Sequence, residues 1–176
     1  MVFFFFFLGI VLLASIGNAA TLYGQSIRLD ESQSIWVATK PIATILNLTS
    51  QDVHVPLYNF LLHFWIQIFG TDISFIRTLS FLLFVATLPI LYLFAKEASE
   101  RKVAIITVIL FAFSPFILWY TSAARMYTLF TFVTSLNHLY FLRVLRSNGA
   151  KYKFGYFISL LLGFYTHYFF LFLVLT

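Results

Sequence analysis

Long apolar runs separated by short charged loops leave this chain few folds. Five stretches, residues 2–22, 73–95, 103–120, 126–142 and 154–175, approach twenty apolar residues each. That is the length at which a helix crosses a hydrocarbon core of about 30 Å. The expected class is an all-α, polytopic membrane protein with about five transmembrane helices. Composition agrees: 10% of residues are charged and 24 are Phe, more than one water-soluble core of this length would bury. With no cysteine, disulfides, thiolate metal sites and Cys nucleophiles are excluded. The first run ends near Ala19 and Ala20 like a signal peptide. No Lys or Arg precedes it, however, and its apolar part is too long, so a retained helix is expected.

Charge orients the bundle. Lys96, Arg101 and Lys102 lie in one short loop, and Arg143, Arg146, Lys151 and Lys153 in another. Alternating spans put both loops on one side, and seven of the eleven basic residues make that side cytoplasmic. The net charge of +5 is therefore a topology signal, and no nucleic-acid partner is expected. Residues 23–72 form an outer loop. Within it Pro56 opens a helix that ends before Gly70, too short to span and rich enough in Tyr and Trp to lie in the interface. A second short helix is expected to start at Asp30, where Asp30 and Gln33 match a capping pattern. The chain shows no internal repeat.

The polar residues in and beside these segments each admit two readings. Asp30 and Glu31 follow the first span: an N-cap with a favourable charge at a helix start, or a general base at the water–lipid boundary. Asp52 and His54 in D-V-H-V-P are a loop acid and a turn histidine, or a polar cluster or metal-ligand pair facing Asp30. Arg77 and Arg125 end spans on the side that should be poor in basic residues. They either snorkel to the interface or hold an anionic partner, for which phosphate is the natural candidate. Tyr127 and Trp119 flank Arg125, as belt residues or as part of its site. His167, with Tyr168, lies towards the outer part of the last span, as a functional group or a helix–helix hydrogen bond. Asn137 and His138 read as structural, and Asn47-Leu48-Thr49 matches a glycosylation sequon that is too common to weigh.

In order, R-L-D-E-S-Q-S-I-W (28–36), D-V-H-V-P-L-Y-N-F-L-L-H-F-W (52–65), F-G-T-D-I-S-F-I-R-T-L-S (69–80), S-P-F-I-L-W-Y-T-S-A-A-R-M-Y (114–127) and Y-T-H-Y (165–168) resemble the GT-C glycosyltransferases. More narrowly, the chain is similar to bacterial relatives of the protein O-mannosyltransferases and of the aminoarabinose transferases acting on lipid A. Two features depart from the family pattern: His54-Val55-Pro56 replaces the frequent His-Pro-Pro, and 176 residues are far fewer than the several hundred usual there. The chain is expected to be the N-terminal portion of a longer enzyme, and its own activity is open.

The resemblance implies transfer of a sugar, hexosyl or pentosyl, from a polyprenyl-phosphate donor to a protein, lipid or glycan acceptor. The membrane would be a bacterial or archaeal plasma membrane, with the site facing outside and a divalent metal left open. The family's Asp-Glu pair maps onto Asp30 and Glu31, with Asp30 as the base. Asp52, His54, Arg77, Arg125, Tyr127 and His167 are the expected substrate-binding residues. A transporter or lipid flippase, or an inactive scaffold fragment, are the alternatives. Transporters usually carry internal repeats with interrupted helices.

Overall fold

The computed structural model of the protein describes residues 6, 9–14, 16, 26–52 and 55–175. Most of the expected first span, and His54, lie outside the described residues, although residues 9–14 are helical. The described residues contain helices and no strand. Three short helices come first: α1 (Leu29–Ala38), α2 (Ile42–Ser50) and α3 (Leu57–Phe69). The longer part follows as α4 (Ile73–Ala98), α5 (Arg101–Ala112), α6 (Pro115–Thr121), α7 (Tyr127–Arg146), α8 (Ala150–Phe164) and α9 (Phe170–Leu175).

Local chemistry accounts for most boundaries. Pro56 precedes the first turn of α3, and Gly70 stops it at φ 86°, a left-handed conformation that glycine adopts without a Cβ clash. Asp72 caps α4 by accepting the Ser74 N–H at 2.8 Å. The expected start of α1 at Asp30 is corrected. Arg28 is the N-cap, Asp30 sits inside the first turn, and the Arg28 N–H donates back to the Glu31 carboxylate at 3.1 Å. The α2 helix had no counterpart among the expected elements. Pro41 caps it and ends the preceding turn.

Two expected spans are broken. The run 103–120 is two helices bent by 58° between Ala112 and Pro115. Pro115 occupies the first turn of α6 and cannot donate to a continuing helix. The run 154–175 is α8 and α9, parted by a turn at 165–169. Phe170 folds back onto Gly163, where a Cβ would lie 2.3 Å from its ring. The Leu57 N–H donates to the Tyr165 carbonyl at 3.1 Å, which ties this turn to α3. Among the described helices, α4 alone is long and apolar enough to cross a membrane, and the bent α5–α6 pair qualifies if taken together.

Helix α4 is the spine. Its N-terminal half contributes Ile76 and Leu79 to a core with Tyr58, Leu62, Leu129 and Phe170. Its C-terminal half presents Phe84, Leu88, Tyr92 and Ala95 at i+4 and i+3 spacing to Ala104, Val108 and Ala112 of α5, and to Ile10 and Ala14. The small residues on α5 let the two backbones approach closely. Helix α7 packs along α4 and then α8, where the Asn137 amide donates to Ser159 Oγ at 3.0 Å. That hydrogen bond agrees with the structural reading of Asn137. The two ends of the bundle differ: Arg77 and Arg125 stand near one end of α4 and α7, Glu97 and Arg143 near the other.

Candidate functional site

Four segments converge at the N-terminal end of α4. Glu31 from α1 is wholly buried, and so is Arg77 from α4. Arg77 Nε donates to Glu31 Oε1 at 3.0 Å and Nη2 to Oε2 at 2.8 Å, a two-toothed pairing matched to the planar guanidinium. The Ala124 N–H adds 2.9 Å to Oε1 and the Arg28 N–H 3.1 Å to Oε2. Burial would raise the Glu31 pKa, but the hydrogen bonds from Arg77 and from the Ala124 and Arg28 amides outweigh it and hold it below the ordinary value.

The turn between α6 and α7 is held from two sides. Glu31 takes its Ala124 amide, and Ser80 Oγ donates to the Ala123 carbonyl at 2.7 Å. Ser80 in turn faces the buried Tyr58 hydroxyl at 3.3 Å. This fixed turn presents Arg125, which is 8% exposed. Its Nη1 donates to Ser34 Oγ at 3.1 Å and to the Asp30 main-chain carbonyl at 3.3 Å. The Asp30 carboxylate itself is exposed and makes no hydrogen bond or ion pair among the described residues.

Beside Arg125 lies a cavity of about 110 Å³. Asp52, Arg125 and His167, singled out from the sequence, all line it. Gln33 Nε2 donates to Asp52 Oδ2 at 3.3 Å, fastening the loop after α2 to α1. His167 comes from the turn between α8 and α9. The Phe169 N–H donates to its Nδ1 at 3.1 Å, which leaves Nε2 to carry the ring proton. The helix break inside the expected fifth span is thus what brings His167 to the cavity.

The remaining candidates fall elsewhere. Glu31 and Arg77 are spent on one another and on the main chain, and neither they nor Asp30 belong to the cavity lining. Tyr127 packs its ring against that of Tyr120, centroids 4.5 Å apart and planes tilted by 59°, and lines a separate apolar cavity of about 330 Å³, with the Arg125 guanidinium 5.9 Å from its ring. Trp119 carries Arg28 over its ring at 4.1 Å rather than Arg125. Among the described residues no three His, Asp or Glu side chains gather as a metal set.

Sequence reasoning missed Ser34, Tyr58 and Asn59, which also line the cavity or support it. It missed His63 too, whose Nδ1 holds the Ala38 carbonyl at 2.7 Å and so clamps α1 to α3. Buried polar residues on otherwise apolar helices were the available signal, since each needs a partner.

A fixed turn carrying a guanidinium, beside an exposed carboxylate at the end of a long apolar helix, suits chemistry on a polar group held at a membrane surface. The class is a membrane glycosyltransferase of the GT-C type. The family model for dolichyl-phosphate-mannose-protein mannosyltransferases matches residues 53–176, over two thirds of the chain, and the chain belongs to that family. No curated protein and no solved structure matches significantly.

Proposed function

We propose that the protein moves a sugar from a polyprenyl-phosphate donor to an acceptor hydroxyl on the non-cytoplasmic membrane face, within a polytopic membrane domain. Asp30 accepts the hydroxyl proton as the acceptor oxygen bonds to the anomeric carbon. The bond from that carbon to the phosphate oxygen breaks, and the lipid phosphate leaves with the bonding pair. Arg125 stabilises the charge that grows there, with Asp52 and His167 positioning the sugar or the phosphate around the cavity. Glu31 and Arg77 hold α1 and the Ala124 turn in register, so that Asp30 and Arg125 stay side by side.

The observation that carries this reading is the contact between them. The Arg125 guanidinium bonds the main chain of Asp30 while leaving the Asp30 carboxylate exposed. A guanidinium and an exposed carboxylate on adjoining surfaces support a cation for the leaving group and a base for the acceptor, in a chain of the dolichyl-phosphate-mannose-protein mannosyltransferase family.

Asp30→Asn tests it. Asp30 is not the N-cap, so the substitution removes one exposed charge from a first helical turn and is expected to leave the unfolding temperature almost unchanged. Transfer from a labelled polyprenyl-phosphate sugar by the full-length protein is expected to fall about 10²–10⁴-fold. Turnover within a few-fold of the parent would remove Asp30 as the base and turn attention to Asp52.

A further inference from the structure

At the opposite end of the spine lies a second polar cavity, of about 500 Å³, lined by Glu97, Tyr140, Arg143, Arg146, Lys151 and Tyr152 among others. Glu97 belongs to α4, Tyr140, Arg143 and Arg146 to α7, and Lys151 and Tyr152 to the start of α8. Twenty residues of one helix separate Arg77 from Glu97, about 30 Å at 1.5 Å per residue. The two polar sites are therefore about one hydrocarbon thickness apart, so each falls at a membrane surface.

Charge inside this cavity is unbalanced. Arg143 is half-buried and spent on Glu97, with Nη2 2.6 Å and Nε 3.1 Å from the same oxygen. That pair neutralises itself and fixes the cavity wall. Arg146 makes no ion pair among the described residues, and Lys151 rests its ammonium 4.8 Å from the Tyr152 ring. Two cationic groups are thus left facing one polar space. The residues adjoining them are apolar and exposed: Phe141 and Leu145 on α7, Phe154 and Phe157 on α8. A free phosphate or a soluble metabolite has no use for that surround, whereas a molecule with an anionic head and hydrocarbon chains fits both parts.

We propose that this cavity is a binding site for the headgroup of an anionic phospholipid, with Arg146 and Lys151 meeting the phosphate and the exposed faces of α7 and α8 receiving the acyl chains. The site lies away from Asp30 and Arg125 and stands independently of the transfer chemistry. By holding α4, α7 and α8 together at this end, a bound lipid stabilises the bundle by mass action.

The test uses the full-length protein purified in a neutral detergent and titrated with phosphatidylglycerol, with thermal unfolding and native mass spectrometry as readouts. The parent is expected to retain phosphatidylglycerol and to unfold at a higher temperature with it, and to show neither effect with phosphatidylcholine. The double variant Arg146→Gln/Lys151→Gln, which spares the Glu97–Arg143 pair, is expected to bind phosphatidylglycerol about thirtyfold more weakly. A second variant, Arg101→Gln/Lys102→Gln, removes two charges from α5, outside the cavity lining, and is expected to bind like the parent. Three results would each overturn the site: undiminished binding by the Arg146/Lys151 variant, an equal loss in the Arg101/Lys102 variant, or the same stabilisation from glycerol phosphate alone. The second would mean diffuse surface attraction, and the third a small-anion site.

Discussion

Glu31 and Arg77, 46 positions apart, meet inside the protein as a wholly buried ion pair in which both carboxylate oxygens are also taken by backbone amides. The pair bolts α1 to the spine helix and, through the Ala124 amide, to the turn that carries Arg125. It is the contact on which the geometry of the candidate site depends.

Breaking that pair on one side is expected to be costly. Glu31→Gln or Arg77→Met leaves a buried charge without its counterpart, a loss of about 3–5 kcal/mol. Replacing both (Glu31→Gln with Arg77→Met) is expected to cost clearly less than the two single losses added. Thermal or denaturant unfolding of the three variants in detergent measures this, and additive losses would show that the side chains do not act as a pair.

The same carboxylate sets an acid limit. Its folded pKa lies below the ordinary 4.5, so the folded state binds that proton less readily than the unfolded chain. The stabilisation is complete above the ordinary value and is lost as pH falls through the lower folded one. Unfolding temperature is therefore expected to lose this contribution only below about pH 4.5, and Glu31→Gln to flatten that acid limb. An acid limb unchanged in Glu31→Gln would assign it to other carboxylates.

Arg125→Lys keeps the charge but loses the planar fork, whose Nη1 serves Ser34 and the Asp30 carbonyl and which the proposed function turns towards the donor phosphate. Transfer is expected to fall at least tenfold, with protein yield near that of the parent. Equal rates for Lys and Arg at 125 would show that no geometry-dependent phosphate contact is made there.

Orientation is checked with reporter tags. Tags near Arg101 and near Ser147 are expected to report cytoplasm and one near Ser50 the outside, following the basic loops. A cytoplasmic signal at Ser50 would invert the proposed face of catalysis.

Helical class, a long helix over 73–95 (observed to 98) and the short helix between Pro56 and Gly70 were all readable from the chain, because apolar run length, proline and glycine act locally. So was the family, whose motifs recur in order along the sequence. The breaks inside the third and fifth runs were not. Pro115 stands at the first break, but Pro89 lies inside the unbroken spine helix, so a proline does not by itself say which run will bend; at Gly163 the stop depends on Phe170 folding back onto it. Nor could spacing assign the charges. Asp30 and Glu31 are neighbours, yet one is exposed and the other sealed against Arg77, because α1 turns one side towards α4 and the next residue away. Composition and local pattern determined which residues were available for a site. Tertiary packing decided which charge is neutralised in the interior and which stays exposed, since the cost of burying a charge is met only by a partner within reach in space.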